Sequence, residues 1–209
     1  MSSSTIFKDR IEAGKRLAEV LSEFKNSDAI VLALPRGGVV VAKEVARELG
    51  LPLDIIVTRK IGAPGNDEYA IGAIDITGAG VWNEAERAYV DPKWLEHKIE
   101  SEKKEAMRRF ETYRKGMGAL NLKNKTVIIV DDGIATGLTM QAAVAYSKRE
   151  GALKVVVAVP VASTESVRTL KSVAEVRFLE TPIFFSAVGE WYEDFPQVSD
   201  EEVISALAS

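Results

Sequence analysis

The sequence lacks cysteine altogether and has a single histidine, His97, in its 209 residues. Without cysteine, disulfides, thiolate zinc sites and cysteine nucleophiles are excluded. His97 lies between Glu96 and Lys98 in a charged segment, so we assign it no role. No Ser-His-Asp arrangement can form near the motifs described below, and several hydrolase classes are therefore excluded.

Long apolar runs and an excess of basic residues are also missing. The longest clean apolar run covers residues 155–162 and includes a proline, while the first ten residues are mostly polar and carry no apolar core. Neither a transmembrane span nor a signal core is predicted, so we expect a cytoplasmic protein without a membrane partner. The formal net charge of −4 argues against a dedicated nucleic-acid binder, which concentrates lysine and arginine.

Two common nucleotide signatures are absent as well. The sequences Gly78-Ala79-Gly80 and Gly116-Met117-Gly118 both lack the third glycine of the dinucleotide fingerprint, and no Gly-Lys-Ser/Thr loop occurs. A dinucleotide or P-loop protein is therefore disfavoured. With 46% hydrophobic residues the chain can bury one full core, and we predict a single domain over residues 1–209.

Apolar runs alternate with segments of helical spacing, which predicts an α/β fold. We expect a doubly wound, mostly parallel sheet flanked by helices. The predicted strands cover residues 29–34, 53–58, 126–130, 154–159 and 175–179. The predicted helices cover residues 9–24, 39–49, 138–149 and 163–173, with a last helix after a capping box at Ser199.

Two further segments complete the predicted organisation. Residues 70–82 alternate apolar and small side chains, as edge strands or a hairpin would. The charged residues 92–115 carry an apolar stripe at helical spacing and predict one long helix, which packs on the sheet or on a second subunit.

The most informative stretch is VIIVDDGIATGLT at residues 127–139. A buried-type strand ends in Asp131 and Asp132, and a small-residue turn then leads into a helix. Ligands of open α/β sheets bind at the carboxyl ends of the strands, and a helix N-terminus favours phosphate. Because carboxylates accept hydrogen bonds from vicinal hydroxyls, the combination suggests a sugar phosphate.

This stretch is similar to the signature of type I phosphoribosyltransferases, which bind phosphoribosyl pyrophosphate. Gly133 is the departure, since the family usually has an aliphatic residue there. The resemblance implies the type I phosphoribosyltransferase fold, with a core at about 29–180, a helical insertion at about 84–118 and a small hood at about 181–198. It also implies that Asp131 and Asp132 hold the ribose hydroxyls, and that the following turn binds the 5-phosphate through Ala135, Thr136, Gly137, Leu138 and Thr139.

The loop Pro35-Arg36-Gly37-Gly38 follows the first strand and resembles the pyrophosphate loop of the same family. Two glycines allow bare amides to approach an anion, although a structural tight turn would have the same pattern. The resemblance implies a cis peptide between Pro35 and Arg36. Arg36, Gly37 and Gly38 would contact the pyrophosphate.

Two cations, Arg59 and Lys60, come before a segment rich in turn residues. In the family this position precedes the flexible loop that closes over the reaction centre. The resemblance implies pyrophosphate contacts from Arg59 and Lys60, and an approach of Glu68 to the base. We take Arg36, Lys60 and Glu68 as the catalytic candidates, and an ordinary surface loop is the alternative.

Aromatic residues are dense in residues 181–195, after the last predicted strand. A planar base needs a stacking surface, and the segment is similar to the hood of purine phosphoribosyltransferases. Phe185, Val188 and Trp191 are the candidates for base contacts. The alternative is that the aromatic residues of this segment only pack under the C-terminal helix. Ala135 replaces an aspartate of the 6-oxopurine enzymes, which makes hypoxanthine and guanine less favoured.

The implied reaction transfers 5-phosphoribosyl from phosphoribosyl pyrophosphate to a nitrogenous base and releases pyrophosphate. Mg²⁺ is the expected cofactor, held through the substrate with few direct protein ligands, Asp131 and Asp132 acting through water. A nucleobase or a related small molecule is the expected second substrate, and a homodimer the expected assembly. The alternative is a regulator that binds phosphoribosyl pyrophosphate or a nucleotide without turnover.

Overall fold

The centre of the molecule is a five-stranded parallel sheet, seen in a computed structural model that describes residues 6–118 and 120–208. The strand order is β2-β1-β6-β7-β8. The strands are β1 (Ile30–Ala33), β2 (Leu53–Ile55), β6 (Thr126–Val130), β7 (Lys154–Val161) and β8 (Glu175–Glu180). The predicted α/β class and the doubly wound parallel sheet are confirmed.

Buried aliphatic residues explain why these segments form central strands. Every residue of β1 is buried, as are the last four of β6, and continuous Val and Ile runs are typical of parallel strands covered on both faces. The register pairs Ile30 with Val127 and Ala33 with Val130. Since β1 and β6 end side by side, the loops that follow them emerge together at one edge of the sheet.

Helices cover both faces of this sheet. They are α1 (Arg10–Val20), α2 (Gly38–Leu49), α5 (Leu138–Arg149), α6 (Thr164–Lys171) and α7 (Asp200–Leu207). Residues of α1, α2 and α7 share one apolar cluster with the sheet, and residues of α5 and α6 share a second one. The predicted capping box is present at the start of α7, where Ser199 and Glu202 exchange hydrogen bonds.

A smaller antiparallel sheet projects from the main one, in the order β3-β4-β5. Its strands are β3 (Thr58–Ala63), β4 (Asn66–Asp75) and β5 (Gly80–Trp82), and a short helix α3 (Glu84–Arg87) follows. The predicted strand at 53–58 is therefore wrong at its end, because β2 stops at Ile55 and the chain turns into the second sheet. The hairpin expected within residues 70–82 is confirmed in β4 and β5.

The long helix α4 (Pro92–Tyr113) packs its apolar stripe within the same chain. Leu95 joins the cluster formed by Ile61, Ile71 and Ile74 of the small sheet. Ala106 and Tyr113 reach the main core. These buried positions are therefore not available to a second subunit.

The segment predicted as the hood pairs with residues near the start of the described chain. Phe7 forms a parallel bridge with Tyr192, and the backbone N–H of Glu193 donates to the carbonyl of Phe7 at 2.9 Å. The pairing with Phe7 could not be predicted, because an isolated apolar pair near the start of the chain carries no strand signal. The division into core, insertion and hood stays a prediction, and residues 1–5, 119 and 209 of its range lie outside the described residues.

The opening helix is shorter than predicted, because α1 ends at Val20 and a 3₁₀ turn covers Ser22–Phe24. No helix in the described part of the chain has the length and apolar character that spanning a membrane requires.

Candidate active site

Two loops meet at the carboxyl edge of the parallel sheet. The loop after β1 begins at Leu34, whose N–H donates to the carbonyl of Val130 at 2.9 Å, just before the acidic pair. The peptide between Pro35 and Arg36 is cis, as predicted. The glycine loop and the acidic motif are thus joined by the sheet itself.

Gly37 lies directly against the acidic motif. A Cβ placed on Gly37 would overlap Oδ2 of Asp132, and one on Gly38 would come within 2.8 Å of Oδ1 of Asp131. Neither position has room for a side chain. The two glycines are therefore required by packing against the carboxylates, in addition to any role in bringing amides to an anion.

The carboxylate of Asp132 points towards the N-terminal helix. Nε of Arg10 donates to Oδ2 of Asp132 at 2.8 Å, with side chains only 8% and 14% exposed. The backbone N–H of Asp132 donates to Oδ1 of Asp131 at 2.8 Å, and the hydroxyl of Tyr192 donates to the carbonyl of Asp132 at 2.6 Å. The sequence missed Arg10 and Tyr192, because nothing in their local pattern links them to a motif far away in the chain.

Burial and mutual repulsion dominate the electrostatics of the acidic pair. Burial raises the pKa of Asp131 well above its usual range, and the neighbouring charge of Asp132 adds to this shift. Burial also raises the pKa of Asp132, while Arg10 acts in the opposite direction. Arg10 therefore favours the ionised form of the pair from the Asp132 side.

The turn after the acidic pair is held by two serine hydroxyls at the start of α6. The hydroxyls of Ser163 and Ser166 both donate to the carbonyl of Ala135, at 2.8 and 2.6 Å. At the start of α5, the N-cap residue is Gly137, which offers no side-chain cap. Since helix N-termini leave N–H groups without intrahelical partners, this end of α5 is suited to an anion.

Most of the predicted phosphoribosyl-binding residues surround one cavity of about 200 Å³. It brings together the acidic motif, the turn, the small sheet and the hood. Its lining consists of Lys60, Ala70, Asp131, Gly133, Ile134, Ala135, Thr136, Gly137, Leu138, Thr139 and Val188. Asp132 does not line it, consistent with the carboxylate facing Arg10.

Val188 explains why Gly133 departs from the aliphatic residue of the family pattern. A Cβ on Gly133 would come within 2.5 Å of Cγ1 of Val188 and within 3.1 Å of Cγ1 of Val161. The hood therefore supplies an aliphatic group to the space that a side chain at Gly133 would fill. Hood and acidic motif interlock at this point.

The predicted mobile segment after Lys60 is an antiparallel hairpin of β3 and β4. Pro64 and Gly65 form its turn. The residues that indicate a loop in the sequence are therefore the turn residues of a β-hairpin. Nζ of Lys60 donates to Oε2 of Glu68 at 3.0 Å, while Glu68 is 94% exposed. Closure of this hairpin over a ligand stays a prediction.

Each of the two remaining candidate arginines has an acidic partner. Arg59 donates from Nε and Nη2 to Oε2 of Glu102 in α4, at 2.8 and 2.7 Å. Arg36 lies 3.6 Å from Oδ1 of Asp200, at the start of α7. Arg59 is bound more closely than Arg36, so Arg36 is the freer of the two to meet an anion.

Phe185 and Trp191 stack on each other in the hood, with ring centroids 6.3 Å apart. The indole N–H of Trp191 is buried and finds no hydrogen-bond partner among the described residues. Both rings pack against the cluster of Phe7 and Tyr192. Whether they also stack on a base stays a prediction.

A parallel α/β sheet with an acidic pair, a small-residue turn and a glycine loop at one edge, under a hood, defines the type I phosphoribosyltransferase class. The family model of the phosphoribosyl transferase domain matches residues 3–194. The chain belongs to the phosphoribosyltransferase family.

Individual relatives agree with this assignment. The crystal structure of TT1426 from Thermus thermophilus has 46% sequence identity and a TM-score of 0.83, and the match covers 96% of this chain and 97% of that one. A purine phosphoribosyltransferase from Pyrococcus horikoshii Ot3 has 20% identity and a TM-score of 0.51 over 91% of this chain and 92% of its own, which supports the fold alone.

A Mycobacterium tuberculosis protein from strain ATCC 25618 / H37Rv, provisionally named a phosphoribosyl transferase, is 42% identical over 205 residues. The match covers 97% of this chain and 46% of the relative. The chain thus spans about half the length of the curated relatives it matches.

Proposed function

We propose that this domain transfers the 5-phosphoribosyl group from phosphoribosyl pyrophosphate to a nitrogen nucleophile and releases pyrophosphate. The observation that carries the proposal is the cavity that joins Asp131, the turn at the start of α5, Lys60 and Val188. It offers a carboxylate, an anion site, a cation and an apolar wall within one space. A sugar bearing phosphates at both ends needs these groups in this combination.

The 5-phosphate is assigned to the turn and the first residues of α5. The uncapped helix end provides backbone N–H donors, and the hydroxyls of Thr136 and Thr139 provide further ones. The ribose hydroxyls are assigned to the acidic pair. Asp131 faces the cavity and is the direct acceptor, while Asp132 supports it from the Arg10 side.

The pyrophosphate is assigned to the glycine loop, Arg36 and Lys60. Both cations are held by partly exposed ion pairs, with Asp200 and Glu68 respectively. Exposed pairs of this kind are worth about 0–1 kcal/mol, so a multiply charged pyrophosphate can replace the carboxylates. Arg59 contributes less in this scheme because Glu102 binds it at two nitrogens.

The reaction breaks the bond between C1 of the ribose and the pyrophosphate oxygen. The leaving oxygen keeps the electron pair, and the lone pair of the acceptor nitrogen forms the new bond to C1. A hydrogen carried by that nitrogen leaves as a proton to solvent. Positive charge develops on the ribose ring as the bond breaks, and Arg36 and Lys60 stabilise the negative charge that accumulates on the leaving group. Binding both ends of the donor also holds C1 in position for attack, which further accelerates the reaction.

Mg²⁺ is proposed as the cofactor, brought in with the phosphates of the substrate. The described residues include no group of three or more histidine, cysteine, aspartate or glutamate side chains that could hold a metal. Mg²⁺ prefers oxygen ligands and keeps waters and substrate phosphates around it, and Asp131 offers a carboxylate oxygen at the cavity. Its charge would neutralise the pyrophosphate when bound.

The acceptor is proposed to be a nucleobase or a related small molecule. Ala135 provides no titratable group beside it, which disfavours 6-oxopurines, and Phe185, Val188 and Trp191 are its proposed contacts. Glu68 reaches the base only if its ion pair with Lys60 opens. We retain a cytoplasmic homodimer without nucleic-acid or membrane partners as part of the proposal, with sedimentation velocity as the test of the assembly.

Calorimetric titration with phosphoribosyl pyrophosphate and Mg²⁺ tests the donor site. Replacing Asp131 with asparagine keeps the shape but removes the charge that accepts the ribose hydroxyls. Since hydrogen bonds to charged groups are worth about 1.5–3 kcal/mol, affinity should fall by about 10- to 100-fold. Asp28→Asn is the matched control, because Asp28 is exposed at the opposite, amino end of β1.

Equal affinities of the Asp131→Asn variant and the wild type would contradict the proposed ribose site. Binding by the wild type without pyrophosphate release for any acceptor would favour a regulator that senses its ligand without turnover.

A further inference from the structure

Arg10 is a buried cation beside the acidic motif, and it makes three contacts with separate parts of the fold. Its Nε donates to Oδ2 of Asp132 at 2.8 Å, and its Nη1 donates to the carbonyl of Pro196 at 2.8 Å. Its guanidinium lies 3.6 Å from the ring centre of Phe195. One side chain of α1 therefore connects the acidic motif with the C-terminal end of the hood.

The backbone around Arg10 makes the same connection. The N–H groups of Glu193 and Asp194 donate to the carbonyls of Phe7 and Lys8, both at 2.9 Å. The hydroxyl of Tyr192 reaches the carbonyl of Asp132 at 2.6 Å. Residues 6–10 and 191–196 thus form a strap over the acidic motif, and Arg10 is its charged link.

The geometry of Arg10 requires a guanidinium. Two nitrogens donate in different directions, to a carboxylate and to a carbonyl, while the planar face lies over an aromatic ring. A lysine ammonium could satisfy one of these contacts but could not stack in the same way. Gly37 packs against the same contact, since a Cβ there would overlap Oδ2 of Asp132 and come within 3.1 Å of Nε of Arg10. The ion pair therefore lies in a tightly packed space.

We propose that Arg10 is a positioning residue of this site, which fixes the carboxylate of Asp132 and couples the order of the hood to the ribose subsite. This inference rests on the proposed function for its ligand. Arg10 does not line the cavity, so it acts through Asp132 and through residues 191–196. Sugar-phosphate binding and hood order should consequently change together when Arg10 is replaced.

Hydrogen exchange of the ligand-free full chain tests the coupling without any assumption about the substrate. In Arg10→Gln, exchange should rise both at the hood amides of residues 192–194, which are hydrogen-bonded in the wild type, and at the amides of residues 131–133. Lys15→Gln is the matched control, since Lys15 is an exposed cation on the same helix. Unchanged exchange in either region of Arg10→Gln would overturn the coupling.

A double-mutant cycle with Asp132→Asn tests the positioning role through the affinity for phosphoribosyl pyrophosphate and Mg²⁺. Arg10→Gln should weaken binding by about 10- to 100-fold, as expected for loss of a hydrogen bond to a charged group. Arg10→Lys should restore part of this loss. In the Asp132→Asn background, Arg10→Gln should cost less than about twofold, because its target is already changed.

A purely structural arginine gives a different pattern. Arg10→Gln would then weaken binding equally in both backgrounds, and this result would overturn the proposal even if the variants fold. If the wild type binds no phosphoribosyl pyrophosphate, the proposed function fails, and the exchange experiment alone decides whether Arg10 links hood and acidic motif.

Discussion

Replacing Gly133 with alanine should force the hood away from the acidic motif. The new Cβ would come within 2.5 Å of Cγ1 and 3.0 Å of Cγ2 of Val188, and within 3.1 Å of Cγ1 of Val161. Val161 is fully buried in β7 and has no space to shift, so Val188 in the hood has to move. The added methyl group therefore overpacks the contact between hood and sheet.

The expected cost follows from overpacking, which typically destabilises a folded protein by about 1–3 kcal/mol. For a chain of this size, 1 kcal/mol corresponds to about 2–4 °C in Tm, so Tm should fall by about 2–12 °C. Val188→Ala removes the two methyl groups that clash. The double variant should therefore regain most of the stability that Gly133→Ala loses.

Differential scanning calorimetry of the wild type, both single variants and the double variant measures this coupling. Gly133→Ala within about 0.3 kcal/mol of the wild type would refute the packing argument, and so would a double variant no more stable than Gly133→Ala. A confirmed coupling would also show that Val188 lies against the motif in solution, as its proposed base contact requires.

Three further perturbations follow from other contacts. The side chains of Arg114 and Asp54 form an ion pair in which each is only 8% exposed. Arg114→Met leaves the buried carboxylate of Asp54 without its cation, so the free energy of unfolding measured in urea should fall by about 3–5 kcal/mol. A loss below about 1 kcal/mol would contradict this. Burial and a hydrogen bond to Asp200 raise the pKa of Tyr113 to about 12. The folded state holds this proton more tightly than the unfolded state, so its contribution to stability is complete below about pH 10 and is lost as pH rises towards 12. In Tyr113→Phe, the free energy of unfolding should fall less between about pH 10 and pH 12 than in the wild type. An unchanged dependence of stability on pH would exclude Tyr113 as the source of the loss. Asp200→Asn should release Arg36 and tighten phosphoribosyl pyrophosphate binding by no more than about fivefold, since exposed pairs are worth up to about 1 kcal/mol; weaker binding would show that Asp200 holds Arg36 in place.

The parallel core could be predicted from the sequence because its signals are local. Buried Val and Ile runs identify strands such as β6, and the capping box at Ser199 identifies the start of α7. The acidic pair could be placed at the sheet edge for the same reason, since it follows β6 without interruption. Each of these features depends on residues within one turn or one strand.

The contacts that complete the site could not be predicted, because they join distant parts of the chain. Arg10 and Asp132 are 122 residues apart, and Tyr192 reaches Asp132 from the hood. The absence of a side chain at Gly133 is explained only by the contact with Val188 in the folded structure. These features depend on how loops meet in space, which periodicity does not report.

The hairpin of β3 and β4 shows a different limit. The turn residues Gly62, Pro64 and Gly65 are typical of a loop, and the family resemblance implies that this loop is mobile and that the cations before it contact pyrophosphate. In the structure the same residues form strands and a tight turn, and α4 provides Glu102 as a partner for Arg59. Turn residues indicate where a chain reverses direction, but not whether the flanking residues pair.

The most direct test of the central claim is the initial rate of pyrophosphate release from phosphoribosyl pyrophosphate and Mg²⁺, measured with each nucleobase in turn. The account predicts release above the rate without acceptor for at least one base, and its loss in Asp131→Asn but not in Asp28→Asn. Absence of release with every base, together with absence of donor binding, would contradict a phosphoribosyl transfer site in this domain.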